Sequence, residues 1–194
     1  MAKKSKKLNQ KNIMSGLIIF FMVSSVFGVM FYGFSSSVQK QKYKDWTFTL
    51  TQQGVMTKID GKKLLFQYFP QDVEDINISA QATALLKANA LYITYDPTAS
   101  YYREMALLQY NLQQFLSDTQ GSYALISLTR PYQDALVPII TCMNATPTFP
   151  VIEIIESNTT MITDSGSCVI IEIDTSFNFE RVLDRIKYAL LGII

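Results

Sequence analysis

The feature that most constrains this chain is a run of 22 residues, Ile13 to Phe34, with no Asp, Glu, Lys or Arg. As a helix rising ~1.5 Å per residue it would reach ~33 Å, which matches a bilayer core of roughly 30 Å. Hydrocarbon offers no partner for backbone N–H and C=O groups, so such a segment must satisfy them internally as a helix. The run is therefore predicted to be a transmembrane helix over 13–34. Gly16, Ser24, Ser25 and Gly28 are tolerable within it, and Gly16 and Gly28 stand too far apart to form a GxxxG pairing face. Lys3, Lys4, Lys6, Lys7 and Lys11 precede the run and Lys40, Lys42 and Lys44 follow it. That bias places the N-terminus in the cytoplasm and the body outside, in a single-pass arrangement at the cell membrane with the lipid bilayer as a partner. A cleaved secretory signal, with Ser35 and Ser37 near the cut, is the competing reading. Signal h-regions run about 7–15 residues, however, and the longer run favours an uncleaved signal-anchor.

Charge is segregated. All eight bases before Asp45 are lysines without an acid among them, whereas from Asp45 onward nine bases face sixteen acids, a net of −7. A phosphate-binding surface needs clustered Lys and Arg, so nucleic acid is not an expected partner. The expected organisation is a basic tail at 1–12, the helix at 13–34, a polar stalk at 35–44, a β-hairpin or meander with a short helix at 45–90, and an α/β core at 91–194. The ~150 residues after the helix suffice for one domain with a buried core.

Two features agree with an outside body. Asn77-Ile78-Ser79, Asn144-Ala145-Thr146 and Asn158-Thr159-Thr160 are N-glycosylation sequons, all beyond the apolar run. Cys142 and Cys168 are the only cysteines. In an extracytoplasmic domain such a pair is a disulfide candidate, against the plainer reading of two buried thiols packed as small apolar groups.

Along the body, Trp46 to Leu50 alternates apolar and polar and reads as a strand. Gln53-Gly54 and Asp60-Gly61 are turn signals, and Leu64 to Tyr68 forms another strand that Pro70 stops. A helix is predicted from Ala80 to about Ala90, capped by Asn77 or Ser79. Leu91 to Tyr95 reads as a strand ended by Asp96-Pro97. Then Tyr101, Met105, Leu108, Leu112 and Phe115 recur as one helical face, which puts Gln109, Gln113 and Gln114 outside. Gly121 ends that helix. Tyr123 to Leu128 is the next strand, Pro131 to Ile140 a short helix, and Val151 to Ile155 and Thr159 to Ile162 a hairpin turning at Ser157-Asn158. Cys168 to Ile173 is a further strand. Phe179, Leu183, Ile186, Leu190 and Ile193 form the stripe of a closing helix, with Glu180, Asp184 and Lys187 facing water. The class is α/β, with α+β as the alternative.

The order β-α-β-α-β-β-α from Leu91 onward resembles the thioredoxin-like fold, and Pro150 stands ahead of the Val151 strand where that superfamily places a cis-proline. The resemblance covers about the last hundred residues. It is a likeness of fold, which by itself supplies no function. Where thioredoxin-like oxidoreductases carry Cys-x-x-Cys, this sequence reads Asp96-Pro97-Thr98-Ala99-Ser100-Tyr101, without cysteine. The segment from Asp184-Arg185 to Ile193 is also similar to the C-termini of uncharacterised archaeal membrane-anchored proteins.

The absence of histidine removes Ser-His-Asp and Cys-His nucleophile systems and most zinc catalysis. No GxGxxG or GxxxxGK[ST] loop is present. Asp72, Glu74 and Asp75 lack the spacing of a calcium loop and read as a capped, solvated turn. Glu153 and Glu156 could be imagined as an acid/base pair, but they read more simply as the solvent side of an amphipathic strand. No catalytic residue, cofactor or metal is therefore expected. The favoured function is a membrane-anchored, extracytoplasmic, non-enzymatic binding or accessory module with a protein partner. The alternative is a thiol-handling protein using Cys142, with Cys168 as resolver.

Overall fold

The computed structural model describes residues 10–33, 39–174 and 179–194. The chain divides into two compact units, Met1–Gln39 and Lys40–Ile194. In the first, helix α1 runs Gln10–Gly33 and its side chains from Met14 to Phe27 are exposed. The expected anchor is corrected here: among the described residues, no helix is long and apolar enough to cross a membrane. A single-pass location at the cell membrane, which was expected from that anchor, is therefore not supported. Residues 1–9 of the expected tail and 34–38 of the stalk lie outside the described residues.

The second unit opens with an antiparallel meander of β1 (Lys40–Tyr43), β2 (Trp46–Thr51), β3 (Gly54–Ile59) and β4 (Lys62–Phe66), in that spatial order. The end of the predicted stalk is thus a strand, because Lys40 to Tyr43 pairs with Thr49 to Trp46. Its exposed Lys40 and Lys42 suit an edge, where charge discourages pairing with another chain. Gly54 opens β3 at φ 133°, and a Cβ there would meet the Phe66 carbonyl oxygen, so only glycine fits. A 3-10 turn at Pro70–Val73 follows.

The second sheet has β5 (Asn77–Ile78), β6 (Ala90–Tyr95), β7 (Tyr123–Ile126), β8 (Val151–Ser157), β9 (Met161–Ser165) and β10 (Cys168–Asp174), in the order β5-β9-β10-β8-β6-β7. β7, β6, β8 and β10 run parallel, and β9 is antiparallel to β10. Helices α2 (Ala80–Leu85), α3 (Tyr102–Gln120) and α4 (Phe179–Leu190) complete the unit. Ser79 caps α2 by accepting the Ala82 N–H at 2.9 Å. Gly121, at φ 69°, ends α3 in the left-handed conformation.

Strand alternation sends Leu91, Ile93, Ile152, Ile154, Val169, Ile171 and Ile173 to one face, where they are buried with Met105, Leu108 and Leu112 of α3 and with Val182, Leu183 and Ile186 of α4. The opposite face carries Tyr92, Thr94, Glu153 and Cys168. Strand β6 is linked to β7 on one side through α3, and β7 returns past it to β8 on the other. Parallel connections of one hand that run in opposite directions must use opposite faces. The return segment, residues 127–150, accordingly crosses the face away from the helices, where Thr94 Oγ1 donates to the Ile140 carbonyl at 2.9 Å.

Five further expectations are corrected. The short helix at 131–140 is absent; that stretch is extended enough to bridge Leu128 to Ile139. β8 and β9 form no hairpin, because β10 lies between them and the tight turn is at Gly166. Gln109 is buried rather than outside, and Asp184 is buried rather than facing water. Pro150 is not a cis-proline: no cis peptide bond occurs among the described residues. Its carbonyl instead accepts the Tyr92 N–H at 3.0 Å, continuing the β6–β8 ladder by one residue. The observed order from β6 is β-α-β-β-β-β-α. Without the second helix and the cis-proline, the features that carried the thioredoxin-like resemblance are missing. Mixed α/β class stands.

Candidate functional site

At the carboxyl ends of β6, β7 and β8 the connections leave in opposite directions and open a cleft of about 450 Å³. Open parallel sheets characteristically leave a crevice at such a switch point, where side chains from several strand ends converge. Asp96 enters from the end of β6, Thr129 and Arg130 from the segment after β7, and Glu153 and Glu156 from β8. Ala99, Met105 and Ile154 also line it, of which Met105 and Ile154 keep no exposed surface.

Each carboxylate is held by backbone. Asp96 Oδ1 accepts the Thr98 N–H at 2.8 Å and the Thr98 hydroxyl at 2.7 Å, while Asp96 Oδ2 meets Arg130 Nη2 at 2.7 Å. Partial burial pushes the Asp96 pKa up, but the two Thr98 hydrogen bonds and the Arg130 guanidinium outweigh it and hold the group below its ordinary range. Glu156 Oε1 accepts the Tyr101 N–H at 2.7 Å, at the entry to α3. Glu153 Oε2 accepts the Cys142 N–H at 2.9 Å. Among the described residues neither Glu153 nor Glu156 has an ion-pair partner. Thr129 Oγ1 is buried and makes no hydrogen bond.

Cys142 and Cys168 are joined by a disulfide with Cα atoms 5.3 Å apart, within the usual range. It ties the return segment to the first residue of β10. Cys168 is buried and Cys142 partly so, and no free cysteine remains. The disulfide candidate is therefore bonded, and the picture of Cys142 as a free reactive thiol does not describe this state. Cys142, Glu153 and Cys168 bring potential ligand atoms within 4.8 Å of one another, but sulfurs bonded to each other are not the thiolates a metal requires.

The sequon residues Asn77, Asn144 and Asn158 are all exposed, at three separate places. Asn144 Oδ1 is engaged by the Thr141 N–H at 2.9 Å, and Ser79 of the first sequon is the α2 cap. The acids of the 3-10 turn have protein partners: Asp72 accepts the Phe69 N–H, Asp75 pairs with Arg181 at 2.8 Å, and Glu74 accepts the Tyr43 hydroxyl.

Sequence reasoning weighed Glu153 and Glu156 as a possible pair and set them aside as strand surface. It missed Asp96, Thr129 and Arg130 as site residues. The strand ending at Asp96-Pro97 was a usable signal, since strand ends at a parallel switch point converge. The second surface of interest is the return segment itself. Leu136 is 101% exposed and Met143 95%, with Ile139 and Phe149 each close to half exposed. No family model matches this chain, and neither a curated protein nor a solved structure matches it.

Proposed function

We propose that the unit Lys40–Ile194 is a non-enzymatic binding or accessory module that receives a protein partner on its return segment, residues 127–150. The observation that carries this reading is full exposure of Leu136 and Met143 on a segment that the fold holds in place. Exposed apolar side chains gathered on one surface mark interaction sites, and Met adapts its shape to a partner surface. The segment is anchored near its start and in its middle, by the Leu128–Ile139 bridge, by the Thr94 to Ile140 hydrogen bond and by the Cys142–Cys168 bond. Pre-ordering lowers the entropy cost of association, so a modest contact area gives more affinity. The absence of histidine agrees with a role that does not rest on His-dependent nucleophiles.

The test is co-purification of the tagged full chain from its native cells, compared with Leu136→Glu and Met143→Glu. The reading expects one stoichiometric partner that is lost from both variants. A partner retained by both, or a chain that elutes alone under every condition, contradicts it.

A further inference from the structure

Cys142, Glu153 and Cys168 come from three separate segments and meet on the face of the second sheet away from the helices. Cys168 opens β10 opposite Val151 of β8, and Glu153 stands two residues further along β8, so alternation sends both side chains to the same face. Cys142 reaches them from the return segment, where it opens a 3-10 turn over Cys142–Asn144 that the Thr141 N–H closes onto Asn144 Oδ1 at 2.9 Å. The Cys142 N–H donates to Glu153 Oε2 at 2.9 Å and so holds the carboxylate beside the sulfurs. One ligand atom from each residue lies within 4.8 Å of the other two. Tetrahedral zinc, with Zn–S at ~2.3 Å and Zn–O at ~2.1 Å, needs its ligand atoms about 3.6–3.8 Å apart. Side-chain rotation closes that difference, and the one obstacle is the bond between the sulfurs.

Reduction removes the obstacle. A dithiol reductant gives two electrons and two protons and leaves as its own disulfide, and Cys142 and Cys168 become thiols. Attack falls on Cys142, which is partly exposed, whereas Cys168 is 1% exposed. With the Cα atoms 5.3 Å apart, rotation about the Cα–Cβ bonds parts the sulfurs while the backbone stays in place. A bound metal then displaces both thiol protons to solvent and takes two thiolates and one carboxylate. Two soft sulfurs favour zinc over magnesium or calcium. Three protein ligands leave a fourth position for water, and Cys142 and Glu153 are open enough to admit it.

We propose that reduction converts the Cys142–Cys168 disulfide into a zinc site formed by the two thiolates and the Glu153 carboxylate. The same three residues then have two exclusive states, one covalent in oxidising surroundings and one metal-bound in reducing surroundings.

The experiment compares the full chain as oxidised with the same chain reduced by dithiothreitol and freed of it under nitrogen. Zn2+ affinity is read by competition with a chromophoric chelator, and Cd2+ supplies a sulfur-to-metal charge-transfer absorption that counts thiolates. The reduced chain should bind one equivalent of zinc at least a hundredfold more tightly than the oxidised chain, and its Cd2+ absorption should be that of two thiolates. Glu153→Gln, which still accepts the Cys142 N–H, should weaken zinc at least tenfold while keeping the two-thiolate absorption. Near-ultraviolet circular dichroism of the zinc-loaded reduced chain should match that of the oxidised chain, which shows that the folded site is the one filled. The redox comparison needs no variant, so it stands if Glu153→Gln folds poorly. Equal affinity in the two redox states, no saturable binding after reduction, zinc held only by a chain that has lost the native signal, or a folded Glu153→Gln chain with undiminished affinity would each overturn the assignment.

Discussion

Asp184, on α4, accepts the backbone N–H of Gln67 through Oδ2 at 2.6 Å, and the same oxygen takes the next N–H, that of Tyr68, at 3.0 Å. A carboxylate with no exposed surface thereby caps the chain where β4 ends, and so clamps the meander to the closing helix. Lys187 Nζ stands 3.1 Å from its other oxygen. Replacing Asp184 by Ala leaves two donors and a partly buried ammonium without their acceptor. Loss of a buried charged partner of this kind costs about 3–5 kcal/mol, and chemical denaturation of the Asp184→Ala chain should show a loss of that order.

The same residue has a pH signature. Burial pushes its pKa above the ordinary 3.8, and Lys187 with the two N–H groups only partly offsets that. A carboxyl raised on folding contributes stability that is fully present below the unfolded pKa and is lost as pH rises through the folded pKa. The stability difference between Asp184→Asn and the parent should therefore shift toward the variant as pH climbs from below 3.8. Urea titrations over a pH series would show it, and a difference independent of pH would contradict the burial argument.

Tyr188 extends that clamp. Its ring stacks on Phe66 at 4.3 Å between centroids and its hydroxyl donates to the Tyr68 carbonyl at 2.7 Å. Tyr188→Phe should cost about 1 kcal/mol for the hydrogen bond, whereas Tyr188→Ala should cost about 3–5 kcal/mol through the cavity left among Phe48, Phe66 and the helix. Thermal or urea unfolding of the two variants separates the contributions.

Gln109 shows what the sequence could and could not disclose. Apolar periodicity located α3, α4 and most strands, because burial on one face writes a period of 3.6 or 2 directly into residue order. Gln109 and Asp184 broke that pattern: a polar residue at a core position reads as surface unless its partners are known, and those partners lie far along the chain. Gln109 Nε2 donates to the Ile93 and Ser127 carbonyls at 2.5 and 2.9 Å, binding α3 to the ends of β6 and β7. The order of strands was hidden for the same reason. Nothing local in Val151–Ser157 tells that its neighbours are β6 and β10 rather than the strand that follows it. The cleft shares this fate, since Asp96, Arg130 and Glu153 meet only once β6, β7 and β8 are placed. The disulfide pair was visible because there were only two cysteines to join.

Gln109→Leu, which matches the side chain in size and removes the amide, should cost about 1–3 kcal/mol, because a buried amide joined to two carbonyls is exchanged for an apolar group that satisfies neither. Surface Gln114→Leu is the control and should change stability by no more than about 0.5 kcal/mol.

The Cys142–Cys168 bond closes a loop of sequence separation 26, for which the chain-entropy relation gives about 3.5 kcal/mol. The Cys142→Ser, Cys168→Ser chain should lose stability of that order. It should also expose the return segment to proteolysis ahead of the sheet, which limited chymotrypsin digestion with mass mapping would locate at Tyr132 or Leu136.

The central claim is that residues 127–150 form the surface on which a partner docks. Its most direct test is a photo-crosslinking amino acid placed at Met143 of the full chain in native cells, with the same probe on the outer face of α3 at Leu107 as reference. The account predicts a discrete adduct at Met143 that vanishes when Leu136→Glu is added, and none at Leu107. Equal adducts at both positions, or a Met143 adduct that Leu136→Glu leaves unchanged, would contradict it.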